Sequence, residues 1–297
     1  MTKQKKIEQI FIQKDMLNLD NKTYLNCLNR HTEADLKEDL GTLGDITSKG
    51  LIKKKRKAKA VIQANSKGIV AGLEEARYFL EQNKLKVKLL KKDGVKVGKG
   101  DKILTITGDV NELLKTERIA LNLMARMSGV ATATIKMKVA AKGKVLICPT
   151  RKTLWTLLDK KAAIVGGGGS HRLGLNNFVL IKDNHLDLLK GNIDKALTTF
   201  ERSKKIVEIE VEDSHQALEA ALHGPDVIMF DNFKAKKIRR LISKLNRKVP
   251  DHGIIFEASG GITRDNIKKY ANCGVDVISM GAITMSAPAV DFSLYFI

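Results

Sequence analysis

The chain has 297 residues, 43% of them hydrophobic, and 53 Lys and Arg face 33 Asp and Glu for a formal charge of +20. That balance describes a folded globular protein of one large or two modest domains and excludes collagen-like, fibrous and disordered chains. Cys27, Cys148 and Cys273 lie too far apart for a disulfide framework or a thiolate zinc site and are expected to be reduced core residues. The first residues lack a signal-peptide apolar run and no stretch reaches the ~18 apolar residues of a membrane span, so a cytoplasmic location with no membrane partner is expected.

A large positive charge admits nucleic acid, a membrane surface or small anions as partners. Aromatic residues make up only 5%, few for stacking on single-stranded nucleic acid, and the basic residues are spread along the chain, so no nucleic-acid partner is expected. The run Lys53 to Lys57 reads as a solvated edge that blocks unwanted strand pairing.

In chain order, residues 58–108 form a mixed pattern. AKAVIQA, KVKLL and KILTITG read as strands, GLEEARYFLEQN as a helix and DGVKVGKGD as a turn, which together predict a small α+β unit. From Asp109, a suitable N-cap, to about Ala141 the period is helical, with a break expected at Ser128-Gly129. After Lys144, short apolar or β-branched runs (VLIC, FVLI, IVEIEV, DVIMF, GIIFEA, VDVISM) read as strands. Several are separated by helical stretches: HQALEAALHG, KAKKIRRLISKL and TRDNIKKYANCG, the last opening at Thr263. Such alternation implies parallel strands, and a barrel fits best, because polar residues follow the strands where a βα barrel gathers its active site.

Three constellations carry chemistry. Glu208, Glu210 and Glu212 share one face of a strand, opposite Val207, Ile209 and Val211. Inside a barrel, such carboxylates repel or protonate unless cations compensate them. Arg151, Lys152, Arg172 and Lys182 supply those cations, and the alternative is an outward-facing strand edge. Gly166 to Gly169, before Ser170-His171-Arg172, are costly to order, so something approaches their backbone closely. Ser259-Gly260-Gly261, before the helix expected at Thr263, and Gly281-Ala282 suit a phosphate. His171 and His185 lack transition-metal spacing, and Lys182 fits either a Schiff base or an anion site.

Taken in order, EDLGTLGDITS, ERIALNLMARMSGVATAT, TRKT, GGGGSHRLGL, LIKDNH, EIEVE, MFDNF, EASGGIT and GAITMSAPAVDFSL resemble the quinolinate phosphoribosyltransferase family over nearly the whole chain. The resemblance implies a small N-terminal α/β sandwich domain over 1–125, joined by the C-terminal segment 285–297, and an open parallel βα (TIM-like) barrel over 126–284. It implies transfer of phosphoribosyl from 5-phosphoribosyl 1-diphosphate to quinolinate with magnesium, giving nicotinate mononucleotide, pyrophosphate and carbon dioxide. By the same resemblance Arg151, Arg172 and Lys182, with His171 and Thr150 beside them, hold the quinolinate carboxylates, and Arg118 completes the site from a partner subunit of a homodimer or larger homo-oligomer. Lys152 serves the substrate's phosphates. Glu210 and Asp231 stabilise the oxocarbenium-like ribose and contact magnesium, and Ser259-Gly260-Gly261 and Met280-Gly281-Ala282 cradle the 5′-phosphate. After Thr153 the chain departs from the family pattern with Leu154-Trp155-Thr156 and a shortened loop. That leaves another base, nicotinate or that of the molybdenum-operon relatives, and a barrel aldolase using Lys182 as alternatives.

Overall fold

The computed structural model of the chain describes residues 2–250 and 252–297; Met1 and Asp251, which fall within the two expected domains, lie outside the described residues. Two compact units emerge, one of Lys14–Ala133, Leu154–Gly167 and Thr284–Ile297, the other of Met1–Gln13, Thr134–Thr153 and Gly168–Ile283.

The first unit is built on a four-stranded sheet in the order Phe292–Phe296, Lys57–Ala64, Lys102–Asp109 and Lys86–Leu89. All three pairings are antiparallel, and Ile62 stands opposite both Leu294 and Leu104. The helix Leu73–Gln82 buries Ala76, Phe79 and Leu80. Its entry is fixed at Gly72, whose φ of +87° and close approach to the Met127 sulfur, 2.8 Å from where a Cβ would stand, both require glycine. The amides of Gly72 and Leu73 donate to the Asp93 carboxylate at 3.2 and 3.0 Å.

The expected break at Ser128-Gly129 does not occur, and one helix runs from Val110 to Ala140, with Asp109 Oδ1 accepting from the Asn111 amide. Packing overrides local propensity here. Ser128 Oγ accepts from the Ala71 amide at 2.9 Å, and a Cβ at Gly129 would lie 2.5 Å from the Pro288 carbonyl oxygen. The Ser-Gly pair therefore admits a neighbouring backbone instead of ending a helix.

The second unit is an open barrel of six strands. Barrel strands 1 to 6 are Leu146–Cys148, Val179–Ile181, Val207–Val211, Val227–Asp231, Ile255–Ser259 and Val277–Ser279. Their spatial order is 1-6-5-4-3-2 and every pairing is parallel, so the edges are strands 1 and 2. All six coincide with the runs read as strands.

The helix Lys3–Phe11 also belongs to this unit, although its residues were expected in the N-terminal domain. Ile7, Ile10 and Phe11 pack with Val227, Ile255 and Val277, the first residues of strands 4, 5 and 6, and so close the barrel end opposite the polar strand ends. Lys6 pairs with Asp226 at 2.9 Å and Lys3 with Asp276 at 2.7 Å, each carboxylate standing just before a strand. This helix also explains the last glycine of the run, since a Cβ at Gly169 would lie 2.6 Å from both the Phe11 carbonyl oxygen and the Cys148 sulfur. Among the described residues no helix is long and apolar enough to cross a membrane, and the three cysteines are free and buried.

Candidate active site

Each barrel strand hands the chain to a polar turn, and the turns enclose a cavity of about 740 Å³. Thr150, Arg151 and Lys152 follow strand 1, Lys182 follows strand 2, Glu210 lies on strand 3, and Asp231 ends strand 4. Ser259, Gly260 and Gly261 come from the end of strand 5 and Met280, Gly281 and Ala282 from strand 6, while His171 and Arg172 lie between strands 1 and 2. Of the substrate-contacting residues that the family resemblance implies, only Arg118 stands outside this lining. It is an exposed residue of the helix Val110–Ala140, in the other unit. Glu212, grouped with Glu208 and Glu210 by alternation, is exposed and lies past the end of strand 3.

Charge in the cavity is arranged in opposed groups. The Lys182 ammonium donates to Glu210 Oε2 at 2.5 Å. An ion-paired ammonium is a poor Schiff-base nucleophile, and the geometry does not favour the aldolase alternative. Burial raises the Glu210 carboxyl from its ordinary value and Lys182 opposes that, while Asp231 adds to it. Burial, and then the neighbouring Arg151, lower the Arg172 guanidinium; Glu208 and Glu210 pull it back. Two guanidiniums crowded together at a cavity wall form an anion-binding surface.

The turn after strand 5 differs from expectation. The helix opens at Ile267, not Thr263, and has five residues, so Ser259-Gly260-Gly261 does not sit at a helix start. Asn266 holds the turn instead, accepting from the Thr263 amide at 2.8 Å and donating to the Gly261 carbonyl at 3.0 Å. Gly260 and Gly261 both have positive φ, and a Cβ at Gly260 would lie 2.2 Å from Asn232 Oδ1. The resulting concave loop of amides suits an anion without a helix dipole.

Below the cavity lies a cluster that the sequence reading only half saw. His171, Glu208 and Glu257 are buried, with side-chain donor atoms within 4.8 Å of one another. His171 Nε2 is 3.2 Å from Glu257 Oε1 and 3.7 Å from Glu208 Oε1, and its Nδ1 accepts from the Arg172 amide at 2.8 Å. Both ring nitrogens are therefore engaged within the protein. His171 borders the cavity, as expected, but offers it no free nitrogen. Burial disfavours a charged His171 ring, yet Glu257 and then Glu208 outweigh that and raise its pKa to about 9. Burial, and then Glu257, push the Glu208 carboxyl up to about 7. The signal for Glu257 was available, since it is a lone carboxylate inside the apolar run IIFEA.

Two further residues escaped notice because 33 positions separate them. Arg126 Nε and Nη2 reach Asp159 Oδ1 and Oδ2 at 2.9 and 2.7 Å. Asp159 also accepts from the amides of Leu154 and Trp155, both at 3.2 Å. The departing loop is held further by Trp155, whose ring stacks on His31 at 5.4 Å, and by Thr156 Oγ1, 3.1 Å from Cys27 Sγ.

The chain matches two family models, described as quinolinate phosphoribosyl transferase, N-terminal domain, over residues 45–128, and quinolinate phosphoribosyl transferase, C-terminal domain, over residues 130–295. It is 42% identical over 272 residues to a probable nicotinate-nucleotide pyrophosphorylase (carboxylating) of Methanocaldococcus jannaschii, covering 88% of this chain and 94% of that one. Over 245 residues it is 35% identical to the nicotinate-nucleotide pyrophosphorylase (carboxylating) of Homo sapiens, covering 80% and 82%. The solved structure of the nicotinate-nucleotide pyrophosphorylase from Francisella tularensis superposes with a TM-score of 0.82 at 34% identity, covering 92% of this chain and 96% of that one.

Proposed function

The chain belongs to the quinolinate phosphoribosyl transferase family, and from that premise we propose that it transfers phosphoribosyl from 5-phosphoribosyl 1-diphosphate to quinolinate with decarboxylation. The products are nicotinate mononucleotide, pyrophosphate and carbon dioxide, the carboxylating pyrophosphorylase activity for which its relatives are named; the proposed role is NAD biosynthesis in the cytoplasm. The observation that carries this reading is the cavity itself, where cations and carboxylates from separate strand ends face the same space.

Quinolinate carries two carboxylates, and Arg151, Arg172 and Lys182 grip them, the guanidiniums through paired, directional hydrogen bonds. Lys152 steers and neutralises the diphosphate. As the bond from C1 to the diphosphate breaks, positive charge grows on the ribose, and the fixed carboxylates of Glu210 and Asp231 stabilise it. The turns Ser259-Gly260-Gly261 and Met280-Gly281-Ala282 cradle the 5′-phosphate. Once the ring nitrogen is alkylated, its positive charge stabilises the electron pair left on the adjacent carbon as carbon dioxide departs, and a proton from solvent then takes the place of the lost carboxylate.

Magnesium suits the donors present, because Glu210 and Asp231 are hard oxygen ligands at adjacent strand ends and a magnesium ion is usually held by one or two carboxylates plus substrate phosphates. When bound, it neutralises charge on the departing diphosphate.

Incubation with quinolinate, 5-phosphoribosyl 1-diphosphate and magnesium should yield nicotinate mononucleotide and carbon dioxide; turnover of nicotinate alone, without carbon dioxide, would overturn the choice of base. In a homodimer with Arg118 completing the partner's cradle, Arg118→Ala weakens quinolinate binding and leaves thermal stability unchanged. Unchanged quinolinate affinity would refute the shared site.

A further inference from the structure

The cluster under the cavity has donors that resemble metal ligands, but the hydrogen bonds point elsewhere. A neutral imidazole carries one proton, and the Arg172 amide, 2.8 Å from Nδ1, requires a lone pair there. The proton therefore sits on Nε2 and is donated to Glu257 Oε1 at 3.2 Å. Coordination of a metal at Nε2 would move that proton to Nδ1, against the Arg172 N–H. Glu257 and Glu208 favour a charged ring, but the Arg172 N–H already points at the Nδ1 lone pair at 2.8 Å and opposes a second proton there, so the hydrogen-bond geometry holds the ring neutral. Any additional proton the cluster holds goes to Glu208, neither of whose carboxylate oxygens has a hydrogen-bond partner.

His171 adopts a left-handed φ of +53°, unusual for a non-glycine residue. Phe11 and Phe178 flank its ring, at 5.3 and 5.6 Å between centroids. The ring is held by two aromatic neighbours with both nitrogens engaged, and Nδ1 passes that constraint to the Arg172 backbone.

We infer that Glu257 is a positioning residue: by keeping the His171 proton on Nε2 it leaves Nδ1 to pin the Arg172 amide, and so aims the Arg172 guanidinium at the carboxylate-binding wall of the cavity. His171 then acts through Arg172, not as a ligand of the substrate. The inference rests on the dicarboxylate reading of that wall.

The test compares Glu257→Leu with Glu257→Gln. Loss of a charge-assisted hydrogen bond raises the KM for quinolinate about tenfold or more in Glu257→Leu, with the KM for 5-phosphoribosyl 1-diphosphate unchanged. Glu257→Gln, whose carbonyl oxygen still accepts from Nε2–H, restores most of that loss. With Arg172→Lys already in place, Glu257→Leu adds nothing further, because the effect runs through Arg172. Independent, additive losses would overturn the inference, as would a Gln variant as impaired as the Leu one. Nitrogen-15 NMR of His171 in the protein without substrate is a separate check, expected to show the neutral Nε2–H tautomer. An imidazolium there refutes the positioning role even if quinolinate is not the substrate, whereas the neutral tautomer without quinolinate turnover leaves the hydrogen-bond chain standing and overturns only the functional reading.

Discussion

Replacing Asp159 by alanine tests a buried ion pair outside the barrel. Asp159 is fully buried and Arg126 only 13% exposed, so removing the carboxylate leaves a guanidinium in a poorly solvated place. Breaking a buried pair by deleting one partner costs about 3–5 kcal/mol. The amides of Leu154 and Trp155 lose an acceptor as well. Total stabilities are about 5–15 kcal/mol, so the loss is a large fraction, and at about 2–3 °C per kcal/mol it lowers the melting temperature by about 6–15 °C. Calorimetry or thermally monitored circular dichroism reads this directly. The companion Arg126→Met/Asp159→Leu, which substitutes apolar groups for both charges, should be the less destabilised of the two. A shift of under about 2 °C in Asp159→Ala, or a double variant less stable than the single, would refute the argument.

The same pair bears on activity through the chain. Leu154 follows Lys152 by two residues, and Thr284, whose carbonyl oxygen accepts from Arg126 Nη2 at 2.5 Å, follows Ala282 by two. Both anchored points stand where the chain leaves a cavity-lining turn. Asp159→Ala should therefore weaken use of 5-phosphoribosyl 1-diphosphate at temperatures where the variant is still folded.

Burial raises the Glu210 carboxyl while Lys182 lowers it, so removing the ammonium in Lys182→Met should move the acid limb of the kcat profile to higher pH; an unmoved limb would separate Glu210 from that limb. Gly169→Ala places a Cβ 2.6 Å from both Cys148 Sγ and the Phe11 carbonyl oxygen, and overpacking of that kind costs about 1–3 kcal/mol, readable as a lower urea midpoint. Burial, and then the charge of Glu75, raise Asp93 to about 6. The folded state thus holds that proton at a higher pH than the unfolded chain does, and the stability it contributes is complete below about pH 4 and lost as pH rises through about 6. Urea midpoints of Asp93→Asn should lack this decline, and matching pH dependences in the two proteins would count against it.

What could be read in the chain follows from how local each signal is. Runs such as VIMF and FVLI are apolar on consecutive residues because parallel barrel strands are buried on both faces, and the polar residues after them mark the strand ends. The carboxylates and cations of the cavity were visible for that reason. The role of the helix Lys3–Phe11 was not. Its Ile7, Ile10 and Phe11 stand at helical spacing, which reveals an amphipathic helix and says nothing about a destination over 200 residues away at Val227 and Ile255. Ser128-Gly129 misled in the opposite sense, since residues that weaken an isolated helix here make room for Pro288. Arg126 and Asp159 become a pair only after folding.

Strand order brings these observations together. Read round the barrel, the sequence 1-6-5-4-3-2 puts Arg151 and Lys152 on one edge strand's exit and Lys182 on the other's, with Arg172 in the segment between strands 1 and 2. Four cations thus belong to the edges of the sheet. The glycine turns follow strands 6 and 5, and the carboxylates Asp231 and Glu210 belong to strands 4 and 3. Under the proposed function, the anionic ring at the edges, the electron-poor sugar carbon beside strands 3 and 4, and the phosphate at the turns of strands 5 and 6 are neighbours in the order in which they are bonded in the product nucleotide. Lys152, which follows strand 1 beside strand 6, is under the same proposal on the side where a departing diphosphate needs a cation. A cavity charged uniformly by the chain's surplus of lysine would hold anions without ordering them; the alternation of cation, carboxylate and amide around the barrel is what makes one orientation of sugar and ring electrostatically preferred.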